Sequence, residues 1–260
     1  MSKPKQTNHN LEVKKQNSSP NPILIIGATI SLFFLAQFIA SLLILLFAKL
    51  NGWQELELQK WFKESSISQF IFVVLADVFM LFGVWAFLRK IGSTFKQIGL
   101  SRPKIKDIGL ALIGYFVYML IFLAITVFAK VIFPTLDLNQ QQEIGFEANK
   151  GLINLSLAFI SLVILPPIVE EILVRGYLYT GLRKTFKFTL ATIITSLVFG
   201  AAHLQFGSDA PLLWIAFLDT FALSIILVYL REKTGRLSAS MILHGLKNLI
   251  AFSLLFIFVK

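Results

Sequence analysis

Two adjacent carboxylates, Glu170 and Glu171, sit in the apolar stretch Pro166-Pro167-Ile168-Val169-Glu170-Glu171-Ile172-Leu173-Val174-Arg175. The only two histidines outside the polar N-terminal tail, His203 and His244, also fall in apolar runs, and Asn248 follows His244 by one helical turn. An ionisable side chain inside a bilayer costs roughly 3 kcal/mol or more, so such groups come with partners and a purpose. Two Glu, one Arg, two His and one Asn are the set needed to activate a water against a peptide bond and to hold the charge that develops.

The spacing divides the work. Glu171 and Arg175 stand at i,i+4 and can pair on one helix face, while Glu170 is rotated by about 100° and can point elsewhere. One carboxylate is then neutralised and the other is free to act as a base. The plainer alternative is a helix end whose Glu and Arg are solvated among headgroups. Pro166-Pro167 marks a helix start or a kink. In Phe199-Gly200-Ala201-Ala202-His203, the three small residues allow a neighbouring helix to come close, and Phe199 can pack on the imidazole. In His244-Gly245-Leu246-Lys247-Asn248, a histidine and an amide share one face. Taken singly, His203, His244 and Asn248 would also suit interhelical hydrogen bonding. Lys247 would either snorkel or pair with an acid such as Asp219.

Composition fixes the solvent. The chain is 56% hydrophobic and 15% charged, with 26 Phe in 260 residues and a mean hydropathy of +0.76. A soluble domain cannot bury that much apolar surface. Runs over 23–48, 67–88, 108–128, 152–169, 189–206, 212–230 and 237–259 are each near the ~20 residues that cross ~30 Å of hydrocarbon, and irregular backbone is excluded from lipid. The expected fold class is all-α, a polytopic transmembrane bundle of about seven helices, or eight if the chain breaks at the double proline. The first run is too long for a signal-peptide core and is read as uncleaved. With no cysteine there is no disulfide, thiolate nucleophile or Cys-type metal site.

The net charge of +10 is explained by sidedness. With the N-terminus inside, 17 Lys+Arg fall on the inner side and 6 on the outer, Lys247 being intramembrane. This is the positive-inside asymmetry. It leaves no basic, aromatic-interleaved patch for nucleic acid. The expected location is the cell membrane, multi-pass, with a cytosolic N-terminus. The organisation reads as a disordered cytosolic tail over 1–22, N-terminal transmembrane helices over 23–133 carrying few polar residues (Gln37, Asp77), an extracytoplasmic loop over 134–150, and a second half over 151–260 that holds all the chemistry.

Three motifs in order, Glu170-Glu171-x3-Arg175, Phe199-x3-His203 and His244-x3-Asn248, with Thr234-Gly235-Arg236-Leu237 leading into the last helix, resemble the CPBP intramembrane endopeptidases. That family includes the type II CAAX prenyl proteases and the bacteriocin-immunity (Abi) proteins. The resemblance covers roughly 151–251. It implies a membrane-embedded endopeptidase whose 151–260 region is the peptidase domain and whose substrates are membrane-associated, CAAX-like or leader peptides. It implies Glu170 as the base on water, His203 orienting that water, His244 and Asn248 forming the oxyanion site, and Glu171, Arg175 and Phe199 in support. Membership is also compatible with a non-enzymatic immunity or scaffold protein that keeps the fold. A transporter using the same charges as an ion relay is disfavoured, because the charges cluster in one half rather than in paired repeats.

No cofactor is expected. The competing arrangement is zinc on Glu170, His203 and His244, since three ligands suffice for a catalytic site; the chain lacks the HExxH pair that sets two ligands one turn apart. The expected partners are a peptide or membrane-anchored protein substrate and the lipid bilayer. One tension remains in this reading. Seven straight helices place Glu170 toward the inner end of its span and His203 toward the outer end of the next, so kinked, short or re-entrant segments are required.

Overall fold

The computed structural model describes residues 21–140, 145–146, 151–205 and 211–258. The tail expected over 1–22 and the second half of the 134–150 loop fall largely outside them. The described residues form helices and no strand: α1 Pro22–Leu50, α2 Glu55–Glu64, α3 Ser66–Lys90, α4 Ile105–Ile132, α5 Leu152–Leu182, α6 Phe188–Ala201, α7 Trp214–Thr234 and α8 Ser238–Phe258. Six of them, all but α2 and α6, are long and apolar enough to cross a membrane. The chain is a multi-pass membrane protein with the polytopic helical architecture that its composition requires.

Helix ends follow local chemistry. The Asn21 side chain accepts from the Ile23 amide at 2.9 Å, and Pro22 takes the first turn, where no N–H is needed. Gly235, at φ 69°, closes α7 in the left-handed conformation. The α2 helix was not visible as a span. It is short, carries Glu and Lys along its length, and packs Trp61 on Trp53 (5.2 Å between ring centroids) and Phe62 on Phe72 (5.7 Å).

Two expected spans change. The run read as 152–169 is part of one 31-residue helix, α5, so the double proline does not start a new helix and no eighth crossing forms. Pro166 and Pro167 lie between two wide π-helical segments, Ile160–Ile164 and Ile172–Tyr179. Prolines inside a helix remove two donors and crowd the preceding turn, and a wider turn relieves the crowding. The run read as 189–206 is the 14-residue α6. At 1.5 Å per residue it is about 21 Å long, short of the ~30 Å slab.

Two apolar clusters hold the bundle. In one, Leu32 and Ala36 of α1 and Met80, Val84 and Leu88 of α3 pack around Leu173 and Leu178 of α5. In the other, Ala111 and Tyr118 of α4 pack with Leu223 and Leu227 of α7 and Leu243 of α8. Large apolar side chains such as Phe38, Phe82, Phe116 and Phe128 face outward, as lipid contact demands. The clusters meet where α5 lies against α8.

The basic connections gather at one end. Leu237 N donates to Gly99 O at 2.9 Å, Arg231 donates to Ile98 O at 3.1 Å, and Arg183 pairs with Glu232 at 2.8 Å. Fully buried Asp107, in the first turn of α4, accepts from Arg236, from the Ser238 hydroxyl and from the Lys104 amide, fastening α4 to the entry of α8. Arg175, counted above among the inner-side charges, is fully buried instead, which reduces that side by one and still leaves it well in excess of the outer 6.

This arrangement supports a testable orientation. The 91–104 connection should face the cytosol, as the positive-inside asymmetry requires. In this cysteine-free chain, a cysteine placed at Ser93 should react in intact cells only with a membrane-permeant thiol reagent. Labelling by an impermeant reagent added outside would reverse the orientation.

Candidate active site

One carboxylate oxygen organises the centre. Arg175 Nη1 lies 2.8 Å from Glu171 Oε1, and both side chains are 0% exposed. The i,i+4 pair expected from spacing is therefore formed. His244 Nδ1 lies 3.1 Å from the same oxygen, a contact that spacing could not supply because α8 delivers it from 73 residues away. A carboxylate can only accept, so Nδ1 of His244 carries the proton, and the neutral ring turns the lone pair of Nε2 the other way. That Nε2 stands 3.8 Å from Glu170 Oε2. Glu170 and Glu171 thus take different directions from neighbouring positions, as the 100° rotation implies.

Phe199 is the hub on which the cationic and imidazole groups rest. The Arg175 guanidinium lies over its ring at 4.3 Å from the centroid, a cation–π contact in a desolvated setting. The ring meets His203 edge-on at 4.8 Å and His244 at 5.8 Å. His203 follows the end of α6, in a turn whose amide bonds to Gly200 O at 3.0 Å, and its Nδ1 bonds to the Phe199 carbonyl at 2.9 Å. A carbonyl also only accepts, so here too Nε2 is left as the acceptor. The early end of α6 removes the tension over depth: His203 sits at the tip of a short helix, level with Glu170, and not at the far face of a full span.

Asn248 is placed by the prolines. In α-helical register, Pro166 and Pro167 leave the carbonyls of Leu162 and Val163 without donors. The Asn248 amide donates to Leu162 O at 2.9 Å, and Gly245 brings the α8 backbone alongside Val163 O, which an added Cβ would meet at 3.8 Å. One of the two amide hydrogens of Asn248 is committed to this staple, and the other is not. Gly200 makes the close helix approach expected of it, since a Cβ there would stand 3.2 Å from the Phe217 backbone oxygen. Ala201 and Ala202 line a cavity instead.

That cavity, about 350 Å³, opens between α1, α5 and α6. Its walls are almost wholly apolar, and among the described residues Glu170 and His203 are the only ionisable groups that line it. Thr29, Ile30, Phe33 and Phe34 of α1 form one side, so the N-terminal helices contribute to the site. Asp77 of α3 does as well: it acts electrostatically on Glu170, and its Oδ2 is buried without a hydrogen-bond partner among the described residues. Sequence reasoning left both features outside the site. The α1 residues are ordinary apolar side chains in an apolar helix, and only the isolation of Asp77 within its run gave a signal.

Among the described residues no three His, Asp or Glu side chains are grouped to hold a metal ion. The Nδ1 atoms of the two histidines bond to Glu171 and to the Phe199 carbonyl, which leaves Nε2 of each as the atom that faces a water or other ligand.

The buried pair should be needed for folding as well as for the site. Arg175→Ala strands Glu171 and should cost about 3–5 kcal/mol, seen as lower membrane accumulation and a lower unfolding temperature in detergent. Replacing both, Arg175→Met with Glu171→Leu, should recover much of that stability while freeing His244 to rotate, so the double variant should accumulate and remain inactive. Normal accumulation and thermal unfolding of Arg175→Ala would show that the pair contributes nothing to stability.

Residues 152–250 match the family model described as type II CAAX prenyl endopeptidase Rce1-like. No curated protein and no solved structure gives a significant match. The matched segment begins at α5 and ends two residues past Asn248, so it contains every group gathered around Phe199 and leaves out α1 to α4. The second half of the chain, over 152–250, thus carries a domain that matches the type II CAAX prenyl endopeptidase Rce1-like family.

Proposed function

We propose that this protein is an intramembrane endopeptidase that hydrolyses a peptide bond with a water activated by Glu170. The observation that carries the reading is the 3.8 Å separation between Glu170 Oε2 and His244 Nε2. In the state poised for hydrolysis Glu170 is ionised and the one N–H of His244, on Nδ1, is given to Glu171, so that both atoms are acceptors. Two acceptors at that distance repel unless a donor with two hydrogens lies against both. A water suits the place, giving one hydrogen to each and turning its lone pairs to the cavity.

In this reading Glu170 takes a proton as the water oxygen attacks the scissile carbonyl, and His244, whose N–H is given to Glu171, holds the second O–H in line and leaves the oxyanion role expected of it to Asn248. His203, whose Nε2 is also an acceptor, steers the water from the cavity side. The carbonyl becomes a tetrahedral oxyanion, which the free amide hydrogen of Asn248 is placed to meet. As the intermediate collapses, the C–N bond breaks and the amine leaves with the proton held by Glu170. Glu171 and Arg175 touch no substrate; they set the tautomer and the angle of His244, as the carboxylate does in a Ser-His-Asp triad. The apolar cavity beside Glu170 suits a hydrophobic side chain or lipid-modified residue of a membrane-associated peptide, in keeping with the prenyl specificity in the family description; the CAAX-like and leader-peptide classes both meet that requirement.

The test uses purified protein in lipid vesicles and two quenched-fluorescent peptides, one with a farnesylated C-terminal CAAX sequence and one with an apolar leader sequence. Parent protein should cleave at least one. Glu170→Gln, which keeps size and loses the base, should bring turnover to background while the thermal unfolding profile stays unchanged. Asn248→Ala should slow turnover by about 10²–10³-fold, the usual cost of one oxyanion donor. Parental turnover in Glu170→Gln would overturn the base assignment. A biological phenotype that persists in that variant would favour the scaffold alternative.

A further inference from the structure

A second polar group lies deep in the bundle, and the hydrolytic roles above do not use it. Lys247 Nζ of α8 is 3.0 Å from Asp219 Oδ2 of α7, and the hydroxyl of Tyr118, from α4, donates to the other oxygen of Asp219. Lys247 is the tenth residue of α8, about 14 Å from its start, with only apolar residues around it in sequence apart from the motif itself. A buried ion pair that merely neutralises itself can be replaced by apolar residues with little loss, so its presence at this depth calls for a use.

Its position supplies one. Lys247 stands between His244 and Asn248 on the same helix. It acts electrostatically on Glu170, His203 and His244, and Asp219 acts on His203. The two side chains keep 24% and 20% of their surface accessible, unlike Glu171 and Arg175. They keep some accessible surface, while those two are sealed.

Hydrolysis of an amide also needs donors at the oxygen that becomes negative, and few are available. Neutral His203 and His244 each spend their N–H on the Phe199 carbonyl and on Glu171, so both present lone pairs. Arg175 is fully buried against Phe199. Asn248 has one hydrogen left after Leu162. Lys247 has three N–H donors, of which Asp219 takes one, and it brings a full positive charge.

We propose that Lys247, held in place by Asp219 and Tyr118, is a further catalytic residue of this site, donating from its ammonium to the carbonyl oxygen of the scissile bond as that oxygen becomes negative. The inference rests on the proteolytic reading of the same site. As the water oxygen bonds to the carbonyl carbon and Glu170 receives the proton, the π pair moves onto oxygen, where an N–H of Lys247 meets it. On collapse that pair re-forms the C=O and the C–N bond breaks. Lys247 keeps its proton throughout. Asp219 and Tyr118 are positioning residues, since an untethered lysine on a four-carbon stem would snorkel away from the site.

The experiment compares Glu170→Gln, Asp219→Asn and the double variant Lys247→Met/Asp219→Asn on the two fluorescent peptides. The double variant leaves no charge unpaired, so its fold should match that of the parent. Its kcat should fall about 10²-fold, the cost of one oxyanion donor, with KM within threefold. Asp219→Asn alone should lose far less, because the ammonium survives and the amide can still accept. Parental kcat in the double variant, with Glu170→Gln inactive, would overturn the role of Lys247 and leave the protease reading standing. Activity in Glu170→Gln would remove both. Should the double variant not accumulate, Lys247→Cys/Asp219→Asn gives a second measurement, because the chain has no other cysteine. Treatment with 2-bromoethylamine rebuilds an ammonium of lysine length at that position and should restore kcat, whereas bromoethane should not. Equal recovery with both reagents, or none with the amine, would overturn the proposal.

Discussion

Glu171 Oε1 accepts from a guanidinium at 2.8 Å and from an imidazole at 3.1 Å, in a place with no measurable exposure. Taking a carboxylate and a guanidinium out of water costs several kcal/mol per ion, and their attraction offsets this only with good geometry and further hydrogen bonds. That constraint reaches outward through the bundle. Arg175 needs a polarisable face, which Phe199 gives. Phe199 must then come from a helix that stops close by, which fixes α6. The imidazole must approach from the opposite side, which fixes α8 against α5. Because Glu171 Oε1 accepts from Arg175 and His244 at once, loss of either partner disturbs the packing and the orientation of His244 together.

The double proline does comparable work through the backbone. Two carbonyls that lose their helical donors inside a membrane would each be expensive. The chain answers with wide turns before and after the prolines and with an amide brought in from another helix. Proline, glycine and asparagine, from segments whose contact spans 86 residues of sequence, thereby determine how deeply α5 and α8 interlock. Asn248 contributes to the architecture whatever its part in catalysis.

What could be read beforehand was whatever depends on short spacing or gross hydropathy: the helical class, five of the spans to within a few residues, the Glu171–Arg175 pair, and the contact of Phe199 with His203. The motifs named Glu170, His203, His244 and Asn248 as a set; the structure sets His203 and His244 against the Phe199 ring, His244 near Glu170, and Asn248 on the Leu162 carbonyl. Other features gave no sequence signal, for identifiable reasons. An apolar run does not say where hydrogen bonding ends, so the stop of α6 at Ala201 was hidden in Phe199-Gly-Ala-Ala-His203. Cavity-lining and lipid-facing residues of α1 are chemically alike, so Phe33 and Phe34 could not be told from Phe38. Contacts across long separations, such as His244 with Glu171 or Lys247 with Asp219, depend on helix packing that periodicity does not encode.

The shortness of α6 has a consequence for the bilayer itself. Leu190, Ile193 and Leu197 face outward along it, so lipids touch a helix roughly 9 Å shorter than the hydrocarbon they would otherwise fill. Such mismatch is met by thinning of the membrane beside the short element. On the flank of the protein that holds His203 and the cavity mouth, the headgroup layer is therefore drawn inward. Under the proposed proteolytic reading, water would then reach the carboxylate over a shortened path, and a substrate lying in the interface would meet Glu170 without unwinding across a full membrane thickness.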